Sequence, residues 1–368
     1  MAERFARGGR LLSLGSSPAA RSDARHVAVE FVHPVIVGKR ALPALGLAPE
    51  GGALPDQVDL VAEPDDIVFA YADEAGADAQ VAAALEAAER RGCLTVAFTE
   101  GTPAQWSFQP PADDPFVAQE LTETLYHLLW ELVHVFFDHR GLLEGREAAR
   151  VHEVGASSFL YPFLSESEHD LDAVLADVEA SVLMKAREIG ELRAQTLAEN
   201  ADTLVAAAAD LRSRLDAGHK VLAFGNGGSA TDAMDLVADL RRPPVAGWPR
   251  RRAIDLTEDP SIITAIANDV GVEEIFQRQV IAYGKAGDVA ATLSTSGNST
   301  NLISALAEAR SRGMGTLAFV GYDGGRIAAE QLADHVVVTR SQHIPRIQEA
   351  QAGAYHVLRE LIERDERE

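Results

Sequence analysis

The sequence holds one cysteine, Cys93, in 368 residues. No disulfide can close within the chain, and a reducing, cytoplasmic setting is expected. Basic side chains are also scarce: 33 Lys and Arg face 56 Asp and Glu, a formal net charge of −23. A field of that sign repels nucleic acid and anionic membranes, so neither is expected as a partner. No run approaches the ~18 consecutive apolar residues of a membrane-spanning helix, and the N-terminus lacks the apolar core of a signal peptide. What is present is a chain 47% apolar, long enough for about two domains with cores of their own.

The organising stretch is VLAFGNGGSATDAMDLVADL. Val221–Phe224 is an apolar run bounded by glycines and reads as a buried strand. After Ser229, the residues Ala230, Ala233, Met234, Val237 and Leu240 recur at helical spacing. Between them, Asn226, Gly227, Gly228 and Ser229 form a turn at a helix N-terminus, where close backbone approach and unpaired N–H groups suit an anion. The turn matches neither GxGxxG nor GxxxxGK[ST], so a nucleotide is not the default ligand. A second loop repeats the arrangement: Ala290–Leu293 leads into Ser294, Thr295, Ser296, Gly297, Asn298 and Ser299, with a helix of Leu302, Ile303, Leu306 and Ala309 behind. Hydroxyls and an amide at a helix start suit the oxygens of a phosphate ester, although one such cluster often serves only as an N-cap.

Three blocks recur in the same order. Arg10–Gly15 and the following SSPAARSDARHVAVEF align with the central stretch, placing Asp23 on Asp232 and Phe31 on Leu240. In the second block, Leu85, Ala88, Arg91, Gly92, Thr95 and Phe98 match Leu306, Ala309, Arg312, Gly313, Thr316 and Phe319 at one constant offset. In the third, Gln119, Glu120, Tyr126, His127, Glu131 and Leu132 match Gln348, Glu349, Tyr355, His356, Glu360 and Leu361. Three matched blocks in order imply an internal duplication. The expected organisation is therefore a degenerate copy at 1–140, a connector with long helices at 141–218, and a second copy at 219–368. Alternating strands and helices in each copy imply a parallel sheet covered on both faces, a doubly wound α/β fold. Residues 1–10 read as a frayed start. A stripe of Leu171, Val174, Leu175, Val178, Val182 and Leu183 marks a long helix in the connector.

From about Glu166 to Glu363 the chain resembles the sugar isomerase (SIS) family, and its phosphoheptose isomerases most closely. The resemblance rests on GNGGS, TEDPSIITAIANDVGVEEIFQRQV, STSGNS and RIQE in that order. It implies an α/β domain binding a phosphorylated sugar, with Asn226, Gly227, Gly228, Ser229, Asn268, Asp269, Ser294, Thr295, Ser296 and Ser299 as binding positions and Gln348 and His356 in the site. It also implies a homo-oligomer, here a dimer of tandem chains. The family places a His and, four residues on, a catalytic Glu after GNGGS; this chain has Asp235 and Asp239. The shorter Asp displaces its carboxylate by about an ångström, enough to cost roughly 100-fold in rate. Pro345 also stands where the family has an acidic residue.

The first copy reverses the pattern. His26 and Glu30 occupy the family's His and Glu positions, and Gln119 and His127 match the other two. These four form a candidate metal set, with zinc the candidate metal. Its loops have lost the phosphate signature: Gly15-Ser16-Ser17-Pro18-Ala19 replaces GNGGS, and Asp73, Glu74 and Asp78 replace the hydroxyls. Two readings follow: the copies contribute complementary parts to one site, or the first is a structural partner whose histidines are satisfied by packing. The leading expectation is aldose–ketose isomerisation through an enediol, with Asp239 or Glu30 as the proton-transfer carboxylate and His356 or His127 serving the sugar oxygens. The alternative is a phosphosugar-binding regulator or scaffold without catalysis. Trp130, Phe136 and Phe137 read as core, and His33, His134 and His139 have no evident partner.

Overall fold

A computed structural model describes residues 1–34, 39–72, 78–99, 101–138 and 171–364. The expected connector at 141–165, and Asp73, Glu74 and His139, lie outside the described residues. So does the side chain of Phe137. The chain divides into two compact units, one of Met1–Asp113 with Leu121–Glu188, the other of Asp114–Glu120 with Ile189–Glu368.

In chain order, the first unit's elements begin with α1 (Ala2–Ala6), β1 (Leu11–Gly15), α2 (Pro18–Val32), β2 (Ala44–Leu47), α3 (Leu54–Val61) and β3 (Ile67–Tyr71). They continue with α4 (Ala79–Arg90), β4 (Leu94–Ala97) and β5 (Trp106–Ser107). Helix α5 (Pro115–Asp138) gives its first six residues to the second unit and the rest to the first. Helix α6 (Leu171–Glu199) is likewise shared between them. The second unit adds α7 (Ala201–Asp216), β6 (Val221–Gly225), α8 (Gly228–Arg241), β7 (Ala253–Asp255), α9 (Pro260–Asp269) and α10 (Ile275–Tyr283). It ends with β8 (Val289–Ser294), α11 (Thr300–Ser311), β9 (Gly315–Gly321), α12 (Gly325–Ala329), β10 (His335–Thr339) and α13 (Ile344–Glu363).

Both sheets are parallel and share one strand order, β2-β1-β3-β4-β5 in the first unit and β7-β6-β8-β9-β10 in the second. Strands β1, β3, β6, β8 and β9 are buried along their whole length. That is why they read as continuous apolar runs rather than alternating ones. Each sheet carries a core cluster on either face: Leu11, Phe69 and Trp130 against Leu14, Val68 and Leu85 in the first unit. The second unit sets Val221, Leu293 and Tyr355 against Phe224, Ala290 and Leu306.

Two polar fastenings recur. Arg10 N and Nη2 donate to Asp66 at 2.7 Å each, pinning the start of β1 to the start of β3. Lys220 N donates to Asp288 Oδ1 at 3.1 Å, with its ammonium on Oδ2, pinning β6 to β8. Thr95 Oγ1 accepts from Gln105 N at 2.9 Å, and Thr316 Oγ1 accepts from Asp334 N at 2.9 Å.

The expected frayed start is instead an ordered helix. Arg4 Nη1 donates to the carbonyls of Pro64, Asp66 and Gly92 at 2.7, 3.1 and 3.0 Å, and Phe5 stacks on Phe31. An arginine with several donors can gather the orphan carbonyls of neighbouring turns, and no local periodicity announces it. Of the apolar stripe of α6, the side chains of Leu171, Val174 and Leu175 lie outside the described residues; Val178 is buried, Val182 half-buried and Leu183 exposed, while Lys185 is buried. Lys185 turns inward because its ammonium pairs with Glu131 at 2.5 Å. The break between α6 and α7 falls at Asn200, whose amide bonds Thr196 O and both backbone groups of Val338. No helix among the described residues is long and apolar enough to cross a membrane.

Candidate active site

In the second sheet the chain leaves β6 toward β7 on one side and β8 on the other. The carboxyl ends of β6 and β8 therefore flank the crevice where open α/β sheets take ligands. Both loops singled out in the sequence lie there. Gly225 ends β6 with no room for a side chain: a Cβ would stand 2.2 Å from Ser229 O. Gly227 caps α8 at φ 58°, a left-handed conformation that glycine adopts without strain, and no side chain caps that end. Asn226 and Asn301 exchange amide hydrogen bonds at 3.0 and 2.9 Å, which fixes one loop against the helix behind the other. Ser294 Oγ accepts from Gly297 N at 3.0 Å, shaping the second loop. Ser299 occupies the N-cap of α11 without a side-chain capping bond, so this hydroxyl is not an ordinary cap. Gln351, on α13, donates to Ser294 O at 3.2 Å and supports the loop from beneath. Asn268 and Asp269 are exposed at the end of α9, where Asn268 donates to Asp269 at 2.6 Å.

Buried titratable groups of this unit converge from α8 and α13. Asp232, Asp235 and Asp239 share a face of α8 and are buried. His356, 2% exposed, points Nε2 at Asp239 Oδ2 across 3.7 Å. Its Nδ1 lies 2.9 Å from Glu120 Oε1, a residue 236 positions earlier that packs within this unit. Phe116, one turn before Glu120, sets its ring 4.7 Å from the imidazole. The fully buried Arg359 donates to Glu363 at 2.8 Å, reaches the Asp239 carbonyl at 3.4 Å and lies over Trp248. Burial raises the Glu360 carboxyl above its ordinary value, reinforced by Asp114. Gln348 is buried on the same helix, and Pro345 sits in its first turn, where a missing N–H costs nothing.

The corresponding places in the first unit are filled differently. Ser16 donates to Asp78 Oδ2, linking the turn after β1 to the start of α4. Ser17 caps α2 by accepting from Ala20 N at 3.1 Å, and Asp78 caps α4 through Gln80 N and Val81 N. Beneath lie His26, Glu123 and His127, whose ligand atoms all fall within 4.8 Å of one another and which are all buried. His26 Nε2 and His127 Nε2 are 3.4 Å apart. Two nitrogens bound to one tetrahedral zinc at about 2.05 Å stand roughly 3.3 Å apart, so the pair matches that spacing. Burial, and then His127, holds His26 well below its ordinary pKa and so in the neutral form that binds metal. Its Nδ1 meets Tyr126 OH at 3.0 Å, an orienting contact of the kind ligating histidines carry. Glu30 Oε1 is 4.0 Å from His26, and burial raises its carboxyl to about 7. The set fits a metal, with Glu123 supplying the carboxylate one turn beyond Gln119, which packs in the second unit. Trp130 is core, donating to Glu30 O at 2.8 Å, and His134 has partners after all in the carbonyls of Trp130 and Arg40.

The SIS domain family model matches residues 186–321. The phosphoheptose isomerase of Nitratidesulfovibrio vulgaris is 39% identical over 188 residues, 50% of this chain and 86% of that protein. The Aquifex aeolicus phosphoheptose isomerase is 42% identical over 181 residues, 48% of this chain and 92% of that one. Among solved structures, the C-terminal domain of glucosamine-fructose-6-phosphate aminotransferase from Francisella tularensis matches with a TM-score of 0.62. It covers 98% of this chain and 86% of that one at 9% identity, a likeness of fold alone. Fold and loops together define a SIS-domain protein. The chain belongs to that family, and within it to the sugar-phosphate isomerases. Its length is about twice the matched region.

Sequence reasoning did not single out Glu120, Glu123, Asn301 or Gln351 as site residues. Glu123 carried a weak signal, standing four residues before His127 where the second copy has Ala352. Nothing local marks Glu120 or the Asn226–Asn301 pair.

Proposed function

We propose that the chain interconverts the aldose and ketose forms of a seven-carbon sugar phosphate, with the phosphate held by Asn226–Ser229 and Ser294–Ser299. The observation that carries this reading is the Asn226–Asn301 amide pair, which ties the glycine-rich loop to the helix behind the hydroxyl-rich one at the sheet's switch point. Gln351, under the second loop, and His356 are five residues apart on α13, about 7.5 Å along its axis, on the scale of a sugar phosphate. Asp239 takes the proton from the carbon beside the carbonyl and returns it to the neighbouring carbon. His356 Nε2 moves the proton between the two sugar oxygens, so the enediol forms and collapses without net gain of protons. Asn268, Asp269 and Gln348 are proposed to contact the sugar on the strength of the family resemblance.

In the first unit, His26, Glu123 and His127, with Glu30 beside them, would hold a zinc ion, which in such enzymes polarises a carbonyl or hydroxyl. Metal analysis of the purified protein tests this: about one zinc per chain in the wild type and less than a tenth of that in Glu123→Ala and His127→Ala, both folded by circular dichroism. Wild-type protein that stays metal-free after zinc loading and dialysis overturns it. The shared strand order and fastenings of the units support descent from a duplicated domain, and a cytoplasmic dimer of tandem chains completes the proposal.

Turnover of sedoheptulose 7-phosphate by the purified chain, with Asp239→Asn as the inactive control, tests the reaction. A second reading, a phosphosugar-binding regulator, is favoured by the Asp at positions 235 and 239. Micromolar binding without turnover, with or without zinc, selects it.

A further inference from the structure

We propose that Glu120 is the positioning residue for His356: its carboxylate holds the ring proton on Nδ1 and leaves Nε2 as the proton acceptor. This rests on the isomerase reading above but adds a residue outside the stretch that the family model matches.

A carboxylate only accepts, so at 2.9 Å the Nδ1 atom must be the donor. On the other side of the ring, Nε2 has no hydrogen-bond partner among the described residues and faces Asp239 at 3.7 Å. The Glu120 carboxylate is itself held: Arg193 Nε stands 3.4 Å from Oε2, and Arg193 Nη2 donates to the Glu120 carbonyl at 3.1 Å. One turn of α5 thus delivers both the orienting carboxylate and the Phe116 ring that packs 4.7 Å from the imidazole. Space for the carboxylate is reserved on α13 itself. Gly353, one turn before His356, is a residue that helix interiors disfavour, and a Cβ there would lie 3.3 Å from Glu120 Oε2. The matched position in the first copy is Thr124. A carboxylate on one ring nitrogen fixes the tautomer and orientation of an imidazole and stabilises the cation formed when the other nitrogen takes a proton.

The test uses the full chain with ¹⁵N-labelled histidine, His356→Asn assigning the resonance. Ring-nitrogen shifts of the neutral imidazole should show Nδ1 protonated in the wild type and a mixture of tautomers in Glu120→Gln. On sedoheptulose 7-phosphate, Glu120→Gln should lower kcat about 100-fold with KM changed less than about threefold, within the range of one proton-transfer group. Gly353→Ala crowds the carboxylate without removing it and should lower kcat about 10-fold. It also decides the matter should Glu120→Gln fail to fold. An Nε2-protonated His356 in the wild type, or unchanged kcat in a folded variant, overturns the proposal. A wild type that turns over no phosphosugar defeats the isomerase reading instead, and the tautomer comparison still judges Glu120.

Discussion

At the mouth of the first sheet, Ser16 donates to Asp78; at the mouth of the second, Asn226 and Asn301 exchange amide bonds. The strand order beneath is the same in both units, and so are the fastenings Arg10–Asp66 and Lys220–Asp288. The scaffold therefore does not decide what each mouth holds. In the first unit Ser17 and Asp78 spend their side chains on their own helices, and Pro18 lacks an N–H. A carboxylate stands where the second unit has hydroxyls, and like charge excludes a phosphate. In the second unit glycine caps α8 and Ser299 leaves α11 uncapped by its side chain. Under the mouths the pattern inverts, with His26, Glu30, Glu123 and His127 in one unit and Asp235, Asp239, Ala352 and His356 at the matched positions of the other.

The largest test of this division uses the glycine that ends the first strand of each sheet. An alanine Cβ at Gly225 would meet Ser229 O at 2.2 Å, and one at Gly15 would meet Ala20 O at 2.4 Å. Both changes should cost about 1–3 kcal/mol of stability, read by denaturant unfolding. Only Gly225→Ala should weaken phosphosugar binding, by more than about 100-fold in calorimetry. An equal loss in Gly15→Ala would break the assignment of phosphate binding to the second unit.

Next come the matched fastenings. Asp288→Asn strands the Lys220 ammonium and should destabilise by about 2–3 kcal/mol, with Asp66→Asn close behind through Arg10. A large disparity would show that the two scaffolds are not held alike. Smaller again, Asn226→Ala leaves Asn301 half-satisfied and should cost about 1 kcal/mol and roughly tenfold in phosphosugar affinity. If the Asn226→Ala/Asn301→Ala double variant costs the sum of the two singles, the amide pair contributes nothing by itself.

The smallest effect concerns acid. Burial alone would raise the Asp288 carboxyl, but the Lys220 ammonium and the N–H groups of Lys220 and Lys285 hold it below its ordinary value of 3.8. A depressed folded-state pKa contributes stability above the unfolded value and loses it as pH falls through the folded one. Wild-type stability should therefore decline below about pH 4 faster than that of Asp288→Asn, seen in pH-dependent melting.

Much of the fold was legible. Val221–Phe224 and Ala290–Leu293 were marked as strands because residues buried on both faces are apolar without interruption. The loops were marked because glycine and hydroxyl residues at a helix start, following a strand twice over, leave unpaired N–H groups and donors together. The start of the chain was misread because Arg4 acts on carbonyls about 60 and 88 residues away. Leu183 belongs to the apolar stripe of α6 yet is exposed, while Lys185 is buried with its ammonium on Glu131.

By itself the sequence determined two runs of strand, turn and helix, their order and the glycine- and hydroxyl-rich loops after the strands, since these depend on neighbours a few residues apart. Tertiary structure decided which side chains meet. It gave His356 the carboxylate of Glu120, 236 residues away, and set Glu123 with His26 and His127. Those meetings depend on helix rotation and register, which packing over whole faces fixes and no local spacing records.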